Sequence, residues 1–251
     1  MSQNINKDIV TLNNIKIACS SCSLHDLCLP LGLHGDDLKR LDTIVSRTHP
    51  IKKNDAIFRQ GDHFEAFYAI RSGSIKTVTI ANDGSEQITG FHLPGEIVGM
   101  DAITGSCHPC SAIALETTSY CAIPFHELEC LAAKLPSLQH QLLSIMSQEI
   151  SHDANLLMLL GKKTADERLA SLLLSLSNRY SQRGFSATEF NLSMSRNDIA
   201  NYLGLAVETV SRLFTRFQDK GFIKVDGKFV QLLEMDELKG SVIECHRHKI
   251  G

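Results

Sequence analysis

The chain changes its pattern of apolar and polar positions along its length, and the first clear pattern is that of β-strands. From about residue 51 to residue 124, short apolar runs are separated by turn residues, as at Ser72-Gly73 and Asp83-Gly84. Asp-Gly between two β-rich runs is a strong hairpin signal. Many short strands at regular spacing predict a sandwich or barrel of the jelly-roll type.

From Pro136 to about Leu160 the apolar positions follow a helical period, and Gly161 suits the position just after a helix. Spacings of three and four residues relate six positions, which we call the seam: Leu143, Met146, Ile150, Asp153, Leu157 and Leu160. This heptad pattern fits a core-facing amphipathic helix or a helix that pairs with its own copy. Asp153 favours the second interpretation. Its carboxylate would face its own copy across a two-fold axis, and the repulsion of these like charges would make the dimer easy to separate, as a switch requires.

The segment from residue 162 to residue 232 predicts three helices followed by a hairpin. The first helix is expected from about Ala165 to Tyr180. The remaining signals are a Ser195 cap on a helix that ends at Leu203, a glycine turn at Gly204, a helix from Val207 to about Lys220, and a hairpin turn at Asp226-Gly227. Two helices joined by a tight glycine turn and followed by a β-hairpin form a winged helix-turn-helix.

The second helix of this unit has one polar face and one apolar face. Glu208, Ser211, Arg212 and Thr215 share the polar face, and the apolar face carries Val210, Leu213, Phe214 and Phe217. Arg212 can pair with guanine, Glu208 can accept from cytosine, Ser211 can contact a base or a phosphate, and Thr209 can bind phosphate. The alternative is a solvated face with a Glu208–Arg212 pair one turn apart.

Charge is distributed unevenly along the chain, whose net charge is -3. Residues 1–161 carry 11 Lys and Arg against 17 Asp and Glu, whereas residues 162–230 carry 11 against 7. A basic C-terminal module on an acidic body indicates an anionic partner for that module, which fits double-stranded DNA.

The cysteines point to a metal or to reactivity. No secretory signal and no apolar run long enough to cross a bilayer is evident, so we expect a cytoplasmic protein with reduced thiols. Cys19, Cys22 and Cys28 follow the pattern C-x2-C-x5-C, which on its own fits a disulfide framework, a zinc site or a reactive cofactor.

Cys107 and Cys110 form a second C-x2-C that a dithiol redox enzyme would use, but no βα signature accompanies it. Cys130 and Cys245 stand alone, and no catalytic constellation is evident.

Four segments resemble the FNR-type oxygen-responsive regulators of the CRP/FNR family. They are FYAIRSG (67–73), EQITGFHLPGEIVGMDAI (86–103), ERLASLLLSLSNRYSQRGFS (167–186) and NYLGLAVETVSRL (201–213), and the resemblance covers roughly residues 18–235. It implies an α+β chain in five parts. These are a cysteine-rich arm (1–29), a β-roll similar to cyclic-nucleotide-binding domains (30–135), a dimerisation helix (136–161), a winged helix-turn-helix (162–235) and a tail (236–251).

The resemblance also implies a cofactor, a [4Fe-4S] cluster on Cys19, Cys22, Cys28 and Cys121, the last from the segment SYCAIPF (119–125). Zinc on the same four thiolates is the alternative, in a regulator that responds to a cyclic nucleotide or similar ligand. A cyclic nucleotide is not expected, because no Lys or Arg lies between Lys76 and Lys134 to bind its phosphate. Ser23 and Leu27 are expected to tune the cysteine site.

By the same resemblance, we expect a transcription factor and not an enzyme. Without oxygen, a homodimer would place two recognition helices on a palindrome with TTGAT-like half-sites and would regulate anaerobic genes. Glu208, Ser211 and Arg212 match the residues that read such sites. RNA polymerase would be contacted through the loop at residues 81–86 and through the surface around Thr117 and Ser186.

Overall fold

The computed structural model describes residues 18–243, with side chains described as far as residue 240. Residues 46–124 form a β-roll of two four-stranded antiparallel sheets. Its strands are β1 (Ser46–Arg47), β2 (Ala56–Phe58), β3 (Ala66–Ser72), β4 (Ile75–Ile80), β5 (Glu86–His92), β6 (Ile97–Val98), β7 (Ser111–Ala114) and β8 (Ser119–Pro124). One sheet has the order β1-β8-β3-β6 and the other β2-β7-β4-β5, so the turn after Gly73 crosses between sheets, whereas the predicted hairpin at Asp83-Gly84 joins β4 to β5.

The N-terminal arm packs on the first of these sheets. Single 3-10 turns at Cys19–Ser21 and His25–Leu27 are followed by helix α1 (Gly35–Ile44), which the sequence patterns did not predict. The arm and α1 share one hydrophobic core with the sheet, to which Leu29, Leu41 and Ile123 contribute fully buried side chains. The arm residues from 18 onward are therefore part of the roll's packing.

Two helices follow the roll, α2 (Phe125–Ala132) and the long helix α3 (Pro136–Lys162). Pro136 occupies the first turn of α3 as expected, but Gly161 lies inside the last turn, and the helix ends at Lys162, two residues beyond the predicted Leu160. Five of the six seam residues are exposed on this helix, and Leu143, Ile150 and Leu157 expose 59%, 68% and 73% of their surface. The sixth, Leu160, is half-buried against the core of the C-terminal unit.

The C-terminal unit is a winged helix-turn-helix, as predicted. Its elements are α4 (Ala165–Gln182), β9 (Glu189–Asn191), α5 (Arg196–Leu203), α6 (Val207–Asp219), β10 (Ile223–Asp226), β11 (Phe229–Leu232) and α7 (Met235–Ile243). Ser195 and Asp198 form a capping box at the start of α5, and Gly204 ends that helix in the left-handed region with φ +61°. Strand β9, which the sequence patterns did not predict, joins the hairpin in a three-stranded sheet. Helix α7 lies where the sequence analysis assigned a tail, and its Leu238 is fully buried.

The winged unit docks on the edge of the roll through Asn201 of α5. Its side-chain amide donates to the carbonyl of Glu86 at 2.8 Å and accepts from the N–H of Ile88 at 2.6 Å, as a neighbouring strand would do. Lys76 of β4 pairs with Asp198 at 2.6 Å. The contacts of Asn201 occupy the free edge of β5.

Candidate functional site

Four cysteines from two parts of the chain line one cavity between the arm and the roll. Cys19 begins the first 3-10 turn of the arm, Cys22 and Cys28 directly follow the first and second turns, and Cys121 comes from β8. The rest of the lining is mainly apolar and includes Leu24, Leu29, Leu41, Val45 and Ile123, with His25 and Arg71 as the exceptions. All seven cysteines among residues 18–243 are free thiols, so no disulfide competes for these sulfurs.

The protein environment favours the protonated form of three of these thiols when nothing binds them. Burial raises the pKa of Cys19 and of Cys28 to about 12, and burial also raises the pKa of Cys121. The neighbouring Cys121 and Cys22 contribute to the raised pKa of Cys28. A group that binds here as an electrophile would displace the protons, since only the thiolate is a metal ligand.

The remaining cysteines of the described chain lie away from this cavity. Cys107 is exposed, Cys110 is buried and donates its thiol proton to Asp101 at 3.2 Å, and Cys130 is exposed on α2. Among the cysteines of the roll, Cys121 therefore has the best position to join the three arm cysteines, and Cys245 lies outside the described residues.

The donor set fits an iron–sulfur cluster. Four thiols facing a mainly apolar cavity are the usual ligands of a [4Fe-4S] cluster. In residues 18–243, no three His, Cys, Asp or Glu side chains are close enough to hold one metal ion. A cluster binds each thiolate to a different iron, so it needs its sulfurs farther apart than the ligands of a single zinc ion.

The predicted tuning residues lie at the margin of this site. Leu27 packs against the turn at Gly95, where an added side chain would come within 2.9 Å of the Leu27 Cβ. Ser23 is exposed. Leu24 and Leu29 line the cavity, so these two restrict access from the arm side more directly than Leu27 does.

Sequence reasoning missed an ion pair beside the cysteines. Asp42 of α1 accepts a hydrogen bond from the backbone N–H of Cys19 at 2.8 Å, and Arg47 of β1 donates to the same carboxylate oxygen. A guanidinium nitrogen of Arg47 also lies 3.8 Å from the Cys19 sulfur. Burial alone would raise the pKa of Asp42, but these two donors lower it below its usual value. The contacts of this pair with Cys19 join residues at least 23 positions apart, which no local motif reveals.

A second cavity, of about 550 Å³, lies between the roll and α3. Its lining includes Asp101, Glu149 and Asp153 but no Lys or Arg. Glu96, in the turn before β6, is paired with Arg179 and Arg183 of the winged unit, at 2.5 and 2.6 Å. Burial would raise the pKa of Glu96, but these arginines lower it, so the carboxylate stays charged and paired. An anionic ligand in this cavity would meet carboxylates without a cationic partner.

The polar face of α6 is open to solvent. Glu208, Ser211 and Arg212 are exposed, Thr209 is half-buried, and the four predicted apolar residues of the opposite face are buried. The Ser211 hydroxyl donates to the carbonyl of Val207 at 3.0 Å, which leaves it free to accept. No ion pair joins Glu208 to Arg212 in the described part of the chain, whereas Arg216 binds Asp166 at 2.7 Å. This arrangement favours a DNA-reading face over a self-paired surface.

Comparisons with known proteins match both halves of the chain. Residues 48–134 match the family described as Cyclic nucleotide-binding domain, and residues 167–240 match the Crp-like helix-turn-helix domain. Over 220 residues the chain is 56% identical to the transcriptional activator protein Anr of Pseudomonas protegens, covering 88% of this chain and 90% of that protein. The chain belongs to the CRP/FNR family of transcription regulators. It is a DNA-binding regulator and not an enzyme, as predicted.

Other CRP/FNR proteins agree with this assignment and with the predicted fold. The fumarate and nitrate reduction regulatory protein of Vibrio cholerae is 50% identical over 222 residues, covering 88% of this chain and 89% of that protein. The solved structure of FixK2 from Bradyrhizobium japonicum superposes with a TM-score of 0.71 at 30% identity, covering 78% of this chain and 96% of that one. Among the described residues, no helix is long and apolar enough to cross a membrane.

Proposed function

We propose that this CRP/FNR regulator is a cytoplasmic oxygen sensor that holds a [4Fe-4S] cluster on Cys19, Cys22, Cys28 and Cys121. The observation that carries the proposal is the convergence of these four thiols on one mainly apolar cavity. When bound, the cluster supplies iron–sulfur chemistry that reacts with oxygen. The chain supplies the ligands, limits access through Leu24 and Leu29, and converts the state of the site into a change of shape.

The arm transmits that change to α3 through shared packing. Leu142 and Ile145 of α3 pack on the hydrophobic core that contains Cys19, Cys28 and Cys121 at its edge. The side chain of Gln141 also donates to the carbonyl of Cys28 at 3.5 Å. The cluster would tie the arm to β8. Its loss therefore loosens the surface against which the first turns of α3 pack.

The seam of α3 is the proposed dimer contact. Its exposed apolar side chains are a surface that pairing with a second copy would cover. Asp153, exposed among them, keeps the pair weak, because each copy brings the same charge to the two-fold axis. Pairing without oxygen would set two α6 helices in successive major grooves of a palindrome with TTGAT-like half-sites, with Glu208, Ser211 and Arg212 contacting bases and Thr209 a phosphate.

Activation of anaerobic genes would use separate surfaces for RNA polymerase. The loop from Ala81 to Ser85 is exposed at the tip of the β4–β5 hairpin, and Thr117 and Ser186 are exposed elsewhere. These positions leave α6 free for DNA.

The experiment that tests the cofactor compares two cysteine variants of anaerobically purified protein. Wild type is expected to contain about four irons and four sulfides per chain. Cys121→Ala should lose them, whereas Cys130→Ala, at an exposed thiol outside the cavity, should keep them. Equal cluster content in both variants, or a wild-type protein that contains zinc and binds a cyclic nucleotide in titration, would contradict the proposal.

A further inference from the structure

We propose that Asp42 and Arg47 form a positioning pair that fixes the arm cysteine Cys19 against the Cys121 strand and places a cation beside both sulfurs. The inference rests on the proposed cluster function and assigns two further residues to that site.

Asp42 anchors the arm end of the pair. Its carboxylate lies on α1, 23 residues along the chain from Cys19, and accepts the backbone N–H of Cys19 at 2.8 Å. That N–H belongs to the first residue of the 3-10 turn that carries the first ligand. A fixed backbone at this position fixes the direction of the Cys19 side chain, which otherwise sits on a short turn without a side-chain cap.

Arg47 links this anchor to the roll. It lies directly opposite Cys121 in the antiparallel pairing of β1 with β8, and it donates to the Asp42 carboxylate and to the carbonyl of Val45. A guanidinium nitrogen lies 3.8 Å from the Cys19 sulfur, within reach of an N–H···S contact. One side chain therefore contacts the arm ligand while its backbone is held beside the roll ligand.

The charge of Arg47 acts on both sulfurs. The side chains of Arg47 and Asp42 are mostly buried, with 17% and 29% of their surface exposed, so solvent screens the pair only in part. Arg71, which also lines the cavity, adds a second cation near Cys121. Four thiolates on a cluster carry net negative charge. A nearby guanidinium offsets this charge, and N–H donors stabilise it on the sulfurs.

A purely structural salt bridge between α1 and β1 is the competing explanation. It predicts that the variants change folding stability without changing the iron–sulfur bonds. The test therefore needs a readout at the bonds themselves, which the Fe–S(Cys) stretching bands of a resonance Raman spectrum supply.

The variants are Arg47→Leu, Arg47→Lys, Asp42→Leu and Asp42→Asn in the full chain, reconstituted without oxygen. Asn keeps an oxygen that accepts from Cys19 but loses the charge, and Lys keeps the charge but not the forked geometry. Arg40→Leu is the matched control, because Arg40 forms a largely exposed pair with Asp37 on the same helix at 3.8 Å. Each protein is compared for its Fe–S(Cys) bands, its rate of iron release to a chelator and its unfolding temperature.

Arg47→Leu and Asp42→Leu are expected to release iron about tenfold faster, the lower end of the effect of removing a partner of a metal ligand. Asp42→Asn and Arg47→Lys should lie between these and wild type. Arg47→Leu should also move one Fe–S(Cys) band to higher frequency, since the sulfur loses a donor, whereas Arg40→Leu should match wild type in every readout.

Unchanged bands and iron release in both leucine variants, with only the unfolding temperature lowered, would overturn the pair's role and leave the proposed function standing. If a leucine variant does not fold, the same absence of effect in Arg47→Lys and Asp42→Asn would overturn it. A wild-type protein and an Arg40→Leu control that both lack iron would instead overturn the proposed function, and this inference with it.

Discussion

At the scale of single residues, some arginines of the winged unit have partners within the protein, whereas Arg212 is available for DNA. Arg216 binds Asp166, Arg196 stacks on the Phe214 ring with its guanidinium carbon 3.2 Å from the ring centre, and Arg168 donates to carbonyls of Leu160, Lys163 and Leu203. These three arginines hold the unit together. Arg212 is exposed and has no ion-pair partner among the described residues, so its forked donors are available to a base.

Arg212→Ala is therefore expected to weaken binding to the palindrome by about 1–3 kcal/mol, the usual value for a lost bidentate base contact. Binding to unrelated DNA should change much less, because that binding depends on phosphates. Titration of both DNAs at one fixed salt concentration measures the difference. Arg216→Ala is the comparison, and an equal loss on both DNAs in Arg212→Ala would show that this residue contacts phosphate only.

Residues differ in how far sequence alone reveals them. The face of α6 follows from spacing, because a helix brings residues three and four apart together. The grouping of Cys121 with the arm cysteines came from resemblance, since no local rule joins residues about 100 positions apart. Asp42 and Arg47 escaped prediction because their roles depend on the register of β1 with β8 and on a helix that the patterns did not reveal.

At the scale of elements, α3 has two faces with different tasks. Most of the seam is exposed, although Asp153, Leu157 and Leu160 also border the larger of two cavities beside the roll. Glu149 lies between α3 and the roll and lines both cavities. Burial is the main cause that raises the pKa of Glu149 to about 7; the charges of Asp153 and Glu96 contribute to this rise, and Arg179 opposes it. The contact between α3 and the roll therefore contains a carboxyl group that is protonated more readily than in the unfolded chain.

This shift makes stability depend on pH with a definite sign. Between the ordinary pKa of 4.5 and about 7, the unfolded chain loses the Glu149 proton while the folded chain keeps it, so the free energy of unfolding falls as pH rises. Glu149→Gln should raise the unfolding temperature by about 2–4 °C at pH 8, the effect of about 1 kcal/mol in a chain of this size. At pH 5 the gain should be much smaller.

Thermal unfolding under anaerobic conditions, at one protein concentration, measures both values. Glu129→Gln, on the exposed side of α2, is the matched control and should change little at either pH. The same gain for Glu149→Gln at pH 5 and pH 8 would show that the carboxyl group keeps its ordinary pKa.

Elements with strong end signals were predicted well. Helix α5 has a capping box at Ser195 and a left-handed Gly204, and the wing has its Asp226-Gly227 turn, so local chemistry fixed their bounds. Helix α7 and strand β9 carry weaker signals and depend on packing, as the burial of Leu238 and Phe190 shows. Gly161 misled the prediction because a helix can continue through glycine at a modest cost of about 1 kcal/mol.

At the scale of the whole molecule, the contacts run from the cysteine cavity to the DNA-reading helix. The arm packs on the first turns of α3, the last turn of α3 is tied to α4 and α5 by Arg168, and α5 docks on β5 through Asn201. The order of these domains was evident from the sequence. Their docking was not, because it rests on side chains such as Asn201 that look unremarkable until the edge of β5 lies beside them.

The proposed oxygen sensing is tested most directly by admitting air to one anaerobic sample. Its visible spectrum, its size by chromatography and its affinity for a TTGAT-type palindrome are measured before and after. An oxygen sensor of the proposed kind should be a brown dimer that binds the palindrome, and in air it should bleach, dissociate to monomers and lose binding together. A colourless dimer that contains zinc and binds DNA equally well in air would contradict it.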